Sequence, residues 1–368
     1  MEQKIIIINL NTSWNIFNFR LDLINELKKN NYKVIAVSPT DIYTKKLIDL
    51  GIDHYPIKIN QRGTNPISDI GLIINYKKLF SKIKPDLILS YTIKPNIYGN
   101  IAAQYLGIPV INNISGLGTM FIKNYFYTIL AKILYTISLR YTNWVFFQNN
   151  DDLNLFRKSK IVNNLNSSVI MGSGVNTKKF YFNRLHNTGK KFLFPARLIK
   201  DKGIFEFLKS AKNITKEYPE IEFLIAGQLN YNNADFDENE LNKWLKYKQI
   251  KYVGDCTDMI SLYKSVDVVV LPSYREGLSK TLIEAASMSL PIITTNVPGC
   301  KDVVKHNFNG LLVRKKSVSD LTEKIIQMYQ FKSKKRLEFG ANGRIVSVEK
   351  FDSKIITSHY IQKISNFS

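Results

Sequence analysis

Two glutamates, Glu276 and Glu284, bracket the stretch EGLSKTLIE, with a Gly-Leu-Ser break after the first. Glu276 follows the apolar run DVVVLPS, which reads as a strand ending near Ser273. Glu284 falls inside the helix-like run that begins near Ser279 or Lys280. Gly277 permits a tight turn. The helix start, with Leu278, Ser279 and Thr281 around it, offers N–H donors and the positive end of a dipole to an anion. A carboxylate beside bound phosphate is repelled by it, so Glu276 is expected to reach past the phosphate towards neutral hydroxyls. Glu284, further along the helix, accepts hydrogen bonds from a second pair of hydroxyls. Ribose diol, diphosphate and sugar hydroxyls follow one another in that order in a nucleotide sugar.

Matching cations occur earlier in the same half of the chain. The stretch PARLIKDKGI puts Arg197 and Lys202 just past the strand-like KFLFPA, at the opening of the next helix. Arginine offers a planar fork for phosphate oxygens and lysine a point charge. Together they neutralise a departing diphosphate, which is the electrostatic work that glycosyl transfer most needs. In a chain this basic a single Arg or Lys is ordinarily a solvated surface residue; two at one strand exit, with the glutamate pair, argue otherwise.

These residues need a scaffold, and the chain alternates strand-like with helix-like runs throughout. KIIIINL, YKVIAVS, HYPIKI, DLILSY, PVINNIS and NWVFFQN are separated by helix patterns in the first half. KFLFPA, EIEFLIAG, IKYVGD, DVVVLPS and PIITTN repeat the rhythm in the second. Apolar runs without clean alternation belong to strands covered on both faces, hence to parallel sheets. Two successive arrays predict an α/β protein of two doubly wound, Rossmann-like domains facing across a cleft. The polar stretch Asn176–Lys191 is taken as the linker, giving domains 1–185 and 186–350. The amphipathic stretch 351–368 is expected to pack back on the first.

The 368 residues carry a formal charge of +22, and a Lys-, Asn- and Ile-rich composition accounts for part of it. The distribution is more specific: no Asp or Glu occurs between Asp86 and Asp151, where Lys94, Lys123, Lys132 and Arg140 fall. Within that region, residues 121–147 are apolar, aromatic and basic, the composition of a helix lying in a membrane interface, although a core helix followed by a strand reads similarly. Lys123, Lys132 and Arg140 interrupt the run, so no transmembrane helix is expected. Two cysteines, Cys256 and Cys300, are too few for a disulfide framework or a metal cluster and favour a reducing cytosol. No signal peptide is visible at the start MEQKIIIINLN. The expectation is a cytoplasmic protein peripherally associated with the inner membrane.

EGLSKTLIEA resembles the paired-glutamate motif of the retaining GT-B glycosyltransferases of family 4, and ARLIKDKGI resembles that family's Arg and Lys pair. GSGVNTKKF and LPIITTNVPGCKDVVKHNFNGLLV are similar to its interdomain segment and a later strand and loop. In the first half, IFNFRLDLINEL, YTIKPNIYGNIAAQYLGIPVINNISGLG and FFQNNDD look most like bacterial enzymes of O-antigen, capsule and N-glycan assembly. The resemblance covers nearly the whole chain. It implies that Glu284 holds the nucleotide ribose and Glu276 meets sugar hydroxyls. It further implies that Gly277, Leu278, Ser279 and Thr281 line the phosphate and sugar, and that Arg197 and Lys202 hold the diphosphate. It also implies a UDP-sugar carrying N-acetylgalactosamine or galactose, a polyprenyl-diphosphate-linked acceptor, no cofactor and no metal. Retaining members are generally thought to use the leaving phosphate as base, so neither glutamate is a nucleophile as in two-carboxylate glycosidases.

One departure stands out. Many relatives carry a first-domain histidine where this chain reads Tyr91-Thr92-Ile93-Lys94, and His54 is the one histidine before the linker. Lys94 and Asn96, with Gly116 and Gly118 as a close-approach loop, are the acceptor-side candidates; Tyr91 or Lys94 stands in for the histidine. The Asp235–Asp237 stretch DFD mimics a metal-binding Asp-x-Asp but sits in a polar run with no strand leading into it, and reads as a loop and helix cap. The basic run KSKKR, Lys332–Arg336, reads as a solvated face. Two rival readings remain. A nucleotide-sugar 2-epimerase of the same architecture needs acid and base groups that so few histidines supply poorly. A basic nucleic-acid-binding protein needs a basic readout face, whereas the acid-free region here is apolar and aromatic, so no nucleic acid is expected.

Overall fold

The computed structural model describes residues 3–60, 66–117, 125–229 and 235–367. Contacts divide the chain into two compact units, Met1–Ser173 with Ser353–Ser368, and Gly174–Asp352. In the first, β1 (Ile5–Asn9), β2 (Lys33–Ser38), β3 (Asp53–Pro56), β4 (Leu87–Tyr91), β5 (Val110–Ile114), β6 (Trp144–Phe147) and β7 (Ser167–Val169) form one parallel sheet. Their order is β3-β2-β1-β4-β5-β6-β7. Helices α1 (Ser13–Lys29), α2 (Thr44–Asp49), α3 (Pro66–Ile83), α4 (Asn100–Tyr105), α5 (Tyr125–Leu139) and α6 (Asn150–Lys158) connect them. The four isoleucines of β1 divide between two cores: Ile6 and Ile8 pack with Leu23, Ile24 and Leu27, and Ile5 and Ile7 on the side of Tyr76, Phe80 and Ile88. Burial on both faces is why the run is apolar without alternation.

The second unit repeats the plan with β8 (Lys191–Pro195), β9 (Glu222–Ala226), β10 (Ile250–Gly254), β11 (Val268–Leu271), β12 (Ile292–Thr295) and β13 (Gly310–Val313). They are parallel in the order β10-β9-β8-β11-β12-β13. Its helices are α7 (Ile204–Ile214), α8 (Glu238–Trp244), α9 (Met259–Lys264), α10 (Lys280–Ser287), α11 (Val318–Gln330) and α12 (Ser333–Lys350). Each sheet reverses direction of growth once, between β1 and β4 and between β8 and β11. In doubly wound sheets that switch point is where ligands bind, outside the carboxyl ends of the strands. The last helix, α13 (Ser353–Ile364), belongs to the first unit, where Tyr360 packs on Phe146 and accepts from Asn113 Nδ2 at 2.7 Å.

Two polar stretches are placed differently from the sequence reading. Asn176–Lys191 belongs with the second unit as far as Gly174, because its polar groups are satisfied there: Arg184 donates to Val266 O and Tyr263 O, and Asn187 to Asp267 O. Arg336, in the basic run 332–336, is 5% exposed. Its guanidinium caps the end of α11 at Met328 O, Tyr329 O and Phe331 O and reaches Asn187, so this part of the run is not a solvated face. Among the described residues no helix is long and apolar enough to cross a membrane. Helix α5 is apolar on two sides: Ala131, Tyr135 and Leu139 are buried, while Ile129, Ile133 and Ile137 are 40%, 51% and 54% exposed.

Candidate functional site

The β8/β11 switch point of the second unit brings the two halves of the predicted constellation together. After β8 the chain passes Arg197, makes a 3-10 turn over Lys200–Lys202 and enters α7 through Gly203. Gly203 has φ +79°, and a Cβ there would lie 2.2 Å from Pro272 O, so only glycine lets this turn close on the exit of β11. Asp201 O accepts from Tyr274 N at 2.8 Å and Ser273 Oγ at 3.2 Å, tying the two exits. The outcome is an ion pair between Lys202 Nζ and Glu276 Oε1 at 2.5 Å, with side chains 21% and 12% exposed. Arg197 on the same lip is exposed and has no side-chain partner among the described residues.

The Glu276–Ser279 turn is held from behind. Glu276 N donates to Pro298 O at 3.1 Å and Ser279 N to Gly299 O at 3.2 Å. Gly299, at φ +78°, approaches so closely that a Cβ would meet Glu276 O at 2.5 Å. Gly277, Leu278 and Ser279 are buried and Thr281 is half-buried. Ser279 caps α10, its Oγ accepting from Leu282 N at 3.4 Å. About a turn and a half on, the Glu284 side chain is 13% exposed. Its Oε2 accepts from Tyr263 OH at 3.4 Å, and Oε1 lies 3.9 Å from Lys280 Nζ. Burial raises the Glu284 carboxyl above its ordinary range, Lys280 and Tyr263 pulling the other way. Beneath the turn Cys300 is fully buried and its thiol is pushed up to about 12, first by burial and then by Glu276, which makes it a packing group.

In the first unit the candidates are placed less openly. Lys94 Nζ lies 2.6 Å from Asp69 Oδ1, and Tyr98 OH donates to Asp69 Oδ2 at 2.7 Å; both side chains of the ion pair are largely buried. Asn96 is wholly buried, donating to Asn113 O at 2.8 Å and accepting from Asn112 Nδ2 at 3.0 Å. It is a structural amide without surface to offer an acceptor. Tyr91 is also buried, with the Arg20 guanidinium 3.9 Å from its ring centre. Gly116 has φ +126°, while Gly118 and Lys123 lie outside the described residues. His54 meets Ser38 Oγ at 3.1 Å, and burial lowers its pKa.

Sequence reasoning missed Asp69, whose partner Lys94 lies 25 residues away in the chain, Tyr98, which donates to Asp69, and Tyr263, which supports Glu284. It also missed Thr92, a β-branched residue at φ +64° on the exit of β4, followed by a π-helical turn over Pro95–Gly99. No local signal marked the first three. For DFD, Asp237 caps α8, accepting from Glu240 N at 2.7 Å. Among the described residues no group of three His, Cys, Asp or Glu is placed to hold a metal ion.

Residues 176–346 match the family model described as glycosyl transferases group 1, and residues 7–149 the one described as glycosyl transferase 4-like. The chain is 30% identical over 348 residues to a capsular polysaccharide biosynthesis glycosyltransferase of Staphylococcus aureus, covering 90% of this chain and 89% of that one. It is 28% identical over 365 residues, 94% of each, to the N,N'-diacetylbacillosaminyl-diphospho-undecaprenol alpha-1,3-N-acetylgalactosaminyltransferase of Campylobacter jejuni. An Escherichia coli UDP-Gal:alpha-D-GlcNAc-diphosphoundecaprenol alpha-1,3-galactosyltransferase is 27% identical over 281 residues, 73% of this chain and 72% of that one. Among solved structures, Anabaena HepE in complex with UDP and glucose has a TM-score of 0.81 over 99% of this chain and 100% of that one, at 16% identity, a likeness of fold. The chain belongs to the group 1, family 4-like glycosyltransferases and has their GT-B fold.

Proposed function

We propose that the chain moves N-acetylgalactosamine or galactose from a UDP-sugar to a polyprenyl-diphosphate-linked saccharide, with retention, in surface glycan assembly. The carrying observation is the Lys202–Glu276 pair at the switch point, where Arg197 follows one strand exit and the other leads into the helix of Glu284. Without ligand the pair neutralises itself. An arriving diphosphate competes for Lys202 and frees Glu276 for the hydroxyls of the transferred sugar. Arg197 and Lys202 then face the two phosphates, supplying from the protein the positive charge the leaving group needs, without a metal. Glu284 accepts from the ribose diol. The acceptor oxygen bonds to the anomeric carbon as that carbon's bond to the β-phosphate oxygen breaks. The electron pair leaves with UDP, and the acceptor's proton passes to the departing phosphate oxygen. The similarity to enzymes whose names specify N-acetylgalactosamine or galactose and undecaprenyl-diphosphate supports the choice of substrates.

In this reading the second unit takes the donor, and the first takes the acceptor and the inner face of the membrane. The support for the membrane is the exposed stripe Ile129, Ile133 and Ile137 on α5, continued by Tyr141 at 69% exposure and flanked by Lys132 and Arg140. Exchanging Lys132 and Arg140 for glutamate is expected to release the protein from anionic vesicles; unchanged co-sedimentation contradicts that assignment.

The deciding experiment screens nucleotide sugars against a short undecaprenyl-diphosphate glycan and reads the anomer by NMR. Transfer with retained configuration is expected. An inverted product removes the mechanism, and interconversion of UDP-sugars without acceptor supports an epimerase instead.

A further inference from the structure

Among the largest exposed side chains of the first unit, Trp14 has an unusual position. It lies in the first turn of α1, directly after β1, and so at the carboxyl edge next to the β1/β4 switch point. The indole is 43% exposed and touches Phe19 edge-on, ring centres 5.3 Å apart. Its N–H has no partner among the described residues. Yet the backbone beneath it is fixed on every side. Trp14 N donates to Asp41 Oδ2 at 2.9 Å, and Trp14 O accepts from Asn18 Nδ2 at 2.9 Å. The preceding Ser13 is wholly buried, its hydroxyl 2.8 Å from both Ser38 Oγ and Thr44 Oγ1. A tryptophan held this firmly forgoes the burial that would stabilise the fold, and leaves a flat apolar face and a free donor at the ligand edge.

We infer that Trp14 is the stacking platform for the saccharide of the acceptor, a specificity-determining residue of the first unit; this rests on the transferase reading above. A pyranose ring presents a face of C–H groups to an aromatic plane and directs hydroxyls to polar neighbours. Polar side chains lie on the indole's own segment and on the facing loop: Asn18 and Asp41 hold the Trp14 backbone, and Asn15 donates to Asn11. A carboxylate and three amides suit sugar hydroxyls and do not suit an anionic lipid surface. The nearby cation Lys46 stands over the Tyr43 and Phe17 rings at 4.5 and 5.5 Å. The pre-set backbone means that little ordering entropy is lost when sugar arrives.

The test has two arms. In steady-state transfer, Trp14→Ala is expected to raise the KM for the glycan acceptor roughly five- to tenfold, with kcat and the KM for UDP-sugar changed less than about twofold, and Trp14→Phe to recover most of the loss. The second arm leaves Trp14 as the sole indole by Trp144→Phe and Trp244→Phe. Its emission is titrated with citronellyl-diphosphate N-acetylglucosamine, with citronellyl diphosphate alone, and with phosphatidylglycerol vesicles. A saturable change with the sugar-bearing probe alone is the expected result. An equal response to the sugarless probe, or a blue shift with vesicles, overturns the inference in favour of lipid contact. An acceptor KM unmoved by Trp14→Ala in an active enzyme also overturns it and leaves the transferase reading intact. Should no transfer occur while the emission still responds only to the sugar-bearing probe, the platform stands and the transferase reading falls.

Discussion

Each unit places a lysine–carboxylate pair at a strand exit beside its switch point, and the two pairs differ in one respect. Lys94–Asp69 in the first unit and Lys202–Glu276 in the second are almost equally short, 2.6 and 2.5 Å. Asp69, however, gives its second oxygen to Tyr98 OH, and the pair is 14% and 7% exposed. The second oxygen of Glu276 has no partner among the described residues, and its pair is 21% and 12% exposed. The first pair is closed; the second is the more open one, and in the proposed reading it exchanges partners. The difference teaches that a salt bridge at a ligand edge is read by what remains unsatisfied around it, not by its length.

Lys94→Ala puts the largest strain on this comparison. It leaves Asp69 buried without its counter-charge, and a loss of about 3–5 kcal/mol in denaturant-unfolding stability is expected. A loss below about 1 kcal/mol would place the pair among ordinary surface bridges and break the contrast. Glu284→Gln comes next: it removes a charged acceptor from the proposed donor site, and calorimetry should show UDP binding weakened by about 1.5–3 kcal/mol.

The same residue sharpens the comparison through pH. Because burial raises the Glu284 pKa above the ordinary 4.5, the folded state holds this proton longer than the unfolded chain does. Its contribution to stability therefore falls as pH rises from that value through the folded pKa. Wild type should lose thermal stability relative to Glu284→Gln across this window, while UDP affinity rises as the carboxylate ionises. A constant difference between the two proteins from pH 4.5 to neutrality would contradict the shift. The smallest effect belongs to Lys202→Ala, for which unfolding stability should change by less than about 1 kcal/mol, since Glu276 keeps access to water.

Much of this arrangement was legible in the residues themselves. Apolar runs gave the strands because both sheet faces are covered, and the Gly-Leu-Ser break located the start of α10 because Ser279 can cap it. Asp237 was readable as a cap for the same reason. The closures were not readable. Asp69 reaches Lys94, and Lys202 reaches Glu276, only because parallel crossovers bring separate strand exits side by side. Asn96 was taken as an acceptor-side candidate, and Asn112 and Asn113 carried no reading beyond their strand, since an asparagine carries no mark of the partner that will satisfy it. Arg336 was misplaced for a similar reason: a basic run looks solvated until a helix end supplies it with carbonyls.

The most direct measurement is the initial rate of sugar transfer by Lys202→Ala at saturating donor and acceptor, with its unfolding followed in parallel. A fall of about 10²–10³-fold in kcat with stability unchanged is the predicted result. A folded variant that turns over at the wild-type rate would show that the open pair is not where the leaving diphosphate is held.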